Sequence, residues 1–240
     1  MESGALTADS KGGNDLFNSG VDEDLVNFKE GACSGSFVKA VPDYMRITDA
    51  SLDSGFPCKS GEANKTFSIA VRFKTADITL DQYMVSKQGT NVNSFIFYLK
   101  NNVLKIAISS LGNNWNSIGH DTALQSNRWY HAAVTYDNSD YSIRLRIWDY
   151  TAGAIVGVDK TGILTNIFIG SGYVFVGYLT TLLDMGGNLD EVVVFNDVLS
   201  VAEIDEIRAG IYGGGAVVSK FGSLFRNEKI EQKIGMFAGI

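Results

Sequence analysis

The clearest pattern along the chain is the alternation across Arg128–Asp137. Tyr130, Ala132, Val134 and Tyr136 fall on one face, and Trp129, His131, Ala133 and Thr135 on the other. A period of two marks a β-strand, and apolar groups on both faces predict a central strand covered on both sides. Polar stretches at 121–127 and 138–140 bound it. The same period runs through Thr66–Lys74, with Phe67, Ile69, Val71 and Phe73 on one face. Ser94–Leu99 and Val103–Ser109 flank Asn101-Asn102, a two-residue hairpin turn that tolerates positive φ. After the central strand, Ile143, Leu145 and Ile147 point in, while Arg144, Arg146 and Trp148 point out. Shorter strands are predicted at Leu16–Phe17, Leu25–Phe28, Ser36–Val38, Tyr44–Ile47, Tyr83–Ser86, Ile155–Val158, Phe168–Ile169 and Val174–Val176. Leu189–Phe195 is the last clear strand, and 110–127 reads as a long polar loop carrying Trp115.

One helix is marked. Ser200 and Glu203 have the spacing of a capping box, and Leu199 can staple to Ile204 across the cap. Ile204, Ile207 and Ile211 form its apolar stripe, and Gly210 with Gly213–Gly215 stops it. Beyond this, Phe221, Leu224, Phe225, Ile230, Ile234 and Phe237 recur at helical spacing among charges. Residues 213–240 therefore read as a glycine hinge and an amphipathic tail. The tail packs on its own sandwich or docks on a protein subunit, self or capsid.

The totals narrow the classes. A chain of 240 residues with only 2 prolines and 26 glycines suits many strands joined by tight turns. The net charge of −7 repels phosphate backbones, so nucleic acid is not expected as a partner. No apolar run is long enough to span a bilayer as a helix. Met1-Glu-Ser-Gly-Ala lacks a signal-peptide pattern, so an extracellular or virion-surface place requires a removed signal or release by lysis, and residence in the cytoplasm is the alternative. Cys33 and Cys58 are either a disulfide closing a modest loop or two buried thiols; neither has the neighbours of a zinc site.

Many short strands and one late helix argue an all-β sandwich. Particular residues go further. Phe67-Ser-Ile-Ala-Val-Arg-Phe-Lys74, Val85-Ser-Lys-Gln-Gly89, Trp129–Asp137, Leu189–Asn196 and Leu199–Ile204 occur in that order. In this order they resemble the laminin-G-like, concanavalin A-like jelly-roll family, over about residues 5–212. The resemblance implies a two-sheet antiparallel jelly-roll sandwich over 1–212, with one short helix and a C-terminal extension. It leaves function open, because the family holds lectins, adhesion modules, accessory domains and phage structural proteins. Two positions depart from the family pattern: Arg72 stands where Trp is frequent, and Leu145-Arg-Ile-Trp-Asp149 lacks the usual glycine turn.

The family's enzymes carry two carboxylates at alternate positions of one strand. Asp190-Glu191 are adjacent and fall on opposite faces, while Asp22 and Asp24 lie in a loop-like segment. His120 and His131 have no nucleophile placed beside them. No catalysis is expected. The resemblance places the opening loop beside the last strand, which makes Asp9, Asn14 and Asp190 candidates for calcium, a cation that takes six to eight oxygens. An alternative is that Asp190 accepts backbone hydrogen bonds without a metal. Glycan contact would need exposed aromatics beside amides. Trp115 with Asn113, Asn114 and Asn116 fits that description, and Trp148, Tyr150 and Tyr173 are secondary candidates. The expectation is a non-enzymatic recognition or structural module. It is a decoration or tail component of a phage virion, able to bind glycans, or a lectin-like adhesion module of a secreted or cell-surface protein.

Overall fold

The alternating segments pair into two antiparallel sheets stacked face to face in a computed structural model, which describes residues 6–8, 13–39, 41–180 and 183–211. In chain order the strands are β1 (Phe17–Ser19), β2 (Asp22–Asp24), β3 (Ser34–Phe37), β4 (Tyr44–Ile47), β5 (Phe67–Lys74), β6 (Gln82–Gln88), β7 (Phe95–Lys100), β8 (Val103–Ile108) and β9 (Asn116–Gly119). They continue as β10 (Tyr130–Asp137), β11 (Ser142–Asp149), β12 (Ala154–Ile155), β13 (Lys160–Ile163), β14 (Tyr173–Val176), β15 (Tyr178–Thr180), β16 (Leu183–Asp184) and β17 (Gly187–Phe195). Helix α1 (Val201–Arg208) follows. One sheet has seven strands in the order β1-β4-β14-β6-β7-β8-β9. The other has eight, in the order β12-β11-β10-β5-β17-β3-β2 with β13 paired to β11.

The predicted central strand is β10, held between β5 and β11. Its Tyr130, Ala132, Val134 and Tyr136 enter the core, and Ala133 meets the helix on the other side. The core fills from both inner faces. Phe67 on β5 meets Phe95 on the opposite sheet at 4.9 Å between ring centres, and stacks on Tyr136 at 5.4 Å. Phe67 is fully buried. Truncating such a ring to alanine costs about 3–5 kcal/mol in lost transfer energy plus the cavity left behind.

Local chemistry sets the turns. Asn101 and Asn102 have φ of 52° and 64°, the left-handed pair that a tight hairpin between Lys100 and Val103 needs. Asp149 closes the turn that lacks the family glycine, since its Oδ1 accepts from Thr151 N at 2.7 Å and Ala152 N at 3.1 Å. Ser200 and Glu203 make the full capping box, and Leu199 and Ile204 pack in one cluster. Gly210, at φ 75°, ends the helix, so Ile211 lies outside the stripe and 52% exposed.

Several expectations are corrected. Leu25–Phe28 is not a strand: Asp24 accepts from the amides of Val26 and Asn27 and bends the chain there, leaving Val26 86% exposed. Asp22–Asp24, read as loop-like, pairs with β3. The polar stretch 110–127 contains edge strand β9, Phe168–Ile169 is not a strand, and β13 pairs with β11 where no strand was expected. Edge strands need only one partner and carry little apolar alternation, so period alone does not mark them. Of the two alternatives for Cys33 and Cys58, the structure has the thiols: no disulfide joins them, and each is buried in the apolar core. Residues 213–240, the predicted tail, lie outside the described residues.

Candidate functional site

The outer faces of the two sheets differ. On the eight-stranded sheet, Ile204 and Ile207 of α1 pack on Ala70, Ala133, Val193 and Phe195. Arg72 is buried at the helix end, where its Nη2 donates to the carbonyls of Ile207 (3.1 Å) and Arg208 (3.4 Å). It also pairs with Glu30 at 2.5 Å, and its Nε donates to the Tyr150 hydroxyl at 2.9 Å. Arg208 lies over the Trp148 ring at 3.9 Å, and Lys29 over the Tyr150 ring at 5.0 Å. This explains the departure at Arg72: a cation here caps carbonyls at the helix C-terminus. Trp148 and Tyr150, two of the sequence candidates, are part of that latch. A groove of 570 Å³ beside the start of the helix is lined by Arg144, Thr161 and Glu203 among others. Its two charged groups are already engaged, Arg144 with Asp159 and Glu203 in the capping box.

The seven-stranded sheet is open on one flank. At Gly177 (φ 84°) the chain turns out of the sheet, where a Cβ would meet the Phe37 ring at 2.2 Å. β15 and β16 then lie over the middle of the outer face, where Leu179 and Leu183 cover Tyr83, Ile96 and Tyr98. Beside this ridge the alternation of β4 and β14 sends Met45, Ile47, Val174 and Val176 inward. Tyr44, Arg46, Tyr173 and Phe175 go outward. Register places Phe17, Arg46 and Phe175 in one cross-strand row. The Arg46 guanidinium carbon lies 4.8 Å from the Tyr173 ring centre and 5.5 Å from those of Phe17 and Tyr44. Tyr178 closes the group at 5.1 Å from Tyr44 and 5.3 Å from Phe175. Phe17 is 59% and Tyr173 38% exposed, so the platform meets water.

Of the sequence candidates, Tyr173 belongs to this platform. Phe17, Arg46, Tyr44, Phe175 and Tyr178 were missed; the signal was the aromatic and cationic character of the outward positions in Tyr44-Met-Arg and Tyr173-Val-Phe. Trp115 is 38% exposed, and Asn113 and Asn116 flank it at the surface. Asn114 has a different task. Its Oδ1 accepts from Ser110 N (3.1 Å) and Leu111 N (3.0 Å), and its Nδ2 donates to Ser110 Oγ, which fixes the loop.

Several acidic and amide groups hold backbone and side-chain partners within the fold. Asp190 accepts from Lys29 N at 2.7 Å and Glu30 N at 3.0 Å, while Asn14 pairs with Asp53 in both directions. Asp9 lies outside the described residues. No group of three His, Cys, Asp or Glu side chains gathers among the described residues. Glu191 occupies a bulge at φ 47°, and burial raises its pKa. Asp24 is held down at about 2, chiefly by the Asn27 amide. His131 is sealed under α1, where burial and then Arg72, Arg208 and Arg146 keep it neutral far below the usual imidazole range.

A jelly roll with one outer face closed by a helix and the other carrying an aromatic platform is a lectin-like fold. The chain belongs to the concanavalin A-like lectin/glucanases superfamily, whose profile matches residues 43–205. Among solved structures, the heptameric SAP-like pentraxin of Limulus polyphemus is similar at 14% identity and TM-score 0.50, over 77% of this chain and 83% of that one. The binding domain of botulinum neurotoxin serotype D is similar at 12% identity and TM-score 0.55, over 82% of this chain and 47% of that one. The receptor binding domain of the C/D mosaic neurotoxin gives 11% identity and TM-score 0.54, over 82% and 46%. The chain thus spans about half the length of the neurotoxin domains. No curated protein sequence matches it at a significant level.

Proposed function

We propose that the protein is a non-enzymatic recognition module that binds carbohydrate on the open flank of its seven-stranded sheet. The observation that carries this reading is the ring cluster of Phe17, Tyr44 and Tyr173 around Arg46. A pyranose presents a flat C–H face that stacks on an aromatic ring, and rings held by cross-strand packing lose little entropy on binding. Family membership supports the carbohydrate part of the reading, because the superfamily is named for lectins and glucanases, both of which take carbohydrate. Such modules work at cell or particle surfaces, so an extracellular place is part of the proposal. The test is a glycan array probed with the parent and with the Phe17→Ala/Tyr173→Ala pair. Losing two stacking rings should weaken retention about tenfold or more. A folded parent that retains no saccharide would refute the reading. Trp115→Ala on the same array asks whether the neighbouring loop extends the surface.

The narrower role, a decoration or tail component of a phage virion, is proposed on the amphipathic pattern of residues 213–240. Light scattering of the full chain against residues 1–215 tests it. An oligomer that needs the tail supports an assembly component, and a monomer in both sinks that role while leaving the sugar face untouched.

A further inference from the structure

We infer that the sugar taken by this face carries a carboxylate, held by the Arg46 guanidinium. The inference rests on the carbohydrate reading above and names its ligand class. Among the described arginines, Arg72, Arg128, Arg144, Arg146 and Arg208 each pair with a carboxylate of the protein. Among the described residues, Arg46 has only rings as partners. This holds in a chain where 27 acidic residues outnumber 20 basic ones, so the lack of a partner is not a shortage of carboxylates. The rings accept no ordinary hydrogen bond, so the N–H edge of the guanidinium has no protein acceptor among the described residues. That edge offers two parallel donors whose spacing matches one carboxylate.

The surroundings favour an acidic sugar over a neutral one. The platform residues Phe17, Tyr44, Tyr173, Phe175 and Tyr178 contain no acid, so nothing in the row competes for the guanidinium. Part of the hydration shell of Arg46 is replaced by rings that accept no ordinary hydrogen bond. A carboxylate restores those bonds, whereas a neutral sugar on the same rings leaves a partly covered cation under-solvated. Sites built on such donors reject analogues that lack the acceptor. An acidic peptide offers the same charge. It lacks the stacking face, and the adjacent edge strand β1 is three residues long, too short to pair with an extended peptide over any length.

The test uses the full chain and two matched pairs of probes, sialyllactose against lactose and a glucuronate-terminated disaccharide against its glucose counterpart. Titration calorimetry at low and at physiological salt reads the affinities. The acidic member of at least one pair should bind about tenfold or more tighter than its neutral partner, with weakening as salt rises. Which pair responds separates a sialic-type from a uronate ligand. Arg46→Gln should erase the difference within the pair, and Arg46→Lys should restore part of it, since the charge returns without the fork. Circular dichroism checks that both variants are folded. Equal binding of both members, unmoved by Arg46→Gln, overturns the carboxylate inference and leaves the sugar platform standing. Binding of neither member, with capture of an acidic peptide instead, overturns both. A variant that only melts earlier and keeps its preference makes Arg46 a structural tie for β1, and that also overturns the inference.

Discussion

Lys87→Met is the perturbation that asks most of this structure. Lys87 lies on β6 with no exposed surface, and its Nζ donates to Asp49 Oδ1 at 2.5 Å, Gly170 O at 2.7 Å and Gly172 O at 3.0 Å. Burial lowers its pKa and the Asp49 carboxylate opposes that shift. Asp49 follows β4 in the short 3₁₀ turn Asp49–Ser51, and Gly170–Gly172 precede β14. One ammonium group therefore ties together the two strands that present Arg46 and Tyr173. Methionine fills similar volume but leaves Asp49 with only the longer bonds from Ser60 N, at 3.2 Å, and leaves two carbonyls without this donor. Breaking a buried pair from one side costs about 3–5 kcal/mol, a large share of the roughly 5–15 kcal/mol that holds a domain together. Replacing both partners, as Lys87→Met/Asp49→Leu, should cost clearly less than the sum of the single changes, because no lone charge remains buried. Urea melts of the four proteins, fitted for midpoint and slope, give the cycle. A single variant within about 1 kcal/mol of the parent, or costs that simply add, would refute the reasoning. The same single variant, below its melting point, should also bind sugar more weakly, since the platform strands lose their common tie.

Three further outcomes follow from the buried groups. His120 and His131 are held below the ordinary value of 6.5, so the unfolded chain takes up protons that the folded one refuses. Stability should fall as pH drops below about 6.5, by up to roughly 1.4 kcal/mol per pH unit for each histidine. The readout is the difference between parent and His131→Gln, because Glu191, raised by burial, acts in the opposite sense; identical pH profiles would remove His131 from the account. Burial pushes the Cys58 thiol up to about 12, so native protein should react slowly with a thiol reagent and fully in denaturant, and a melting point lowered by reductant would reveal a disulfide instead. Calcium at Asp9, Asn14 and Asp190 is tested by adding the ion after chelation: a saturable rise in the melting midpoint supports the site, and an unmoved midpoint removes it.

The elements legible in the sequence are those whose cause is local. Alternation in Thr66–Lys74 and Arg128–Asp137, two asparagines at a hairpin, and a serine three residues before a glutamate each act within one segment. β2, β9 and β13 were not legible as they are, because an edge strand is defined by the neighbour it finds. The candidate site was legible only in fragments for the same reason. Phe17, Arg46 and Tyr173 are far apart along the chain, and only register brings them to one patch. Trp148 and Tyr150 looked like binding aromatics because sequence gives the direction of a side chain and not what covers it. The helix that covers them was predicted, but not which sheet face it would rest on.

The closed helical face gives the molecule a front and a back. Ile211, where the described part of the chain ends, follows α1 on the outside of the eight-stranded sheet, while Arg46 and its rings look out from the seven-stranded one. Whatever is joined beyond Ile211 starts from the back, about one sheet-to-sheet spacing of ~10 Å plus a helix layer away from the rings. Many copies held side by side by that end would turn their rings toward the same surroundings. Weak single contacts could then add up through number, with no change to the contact itself.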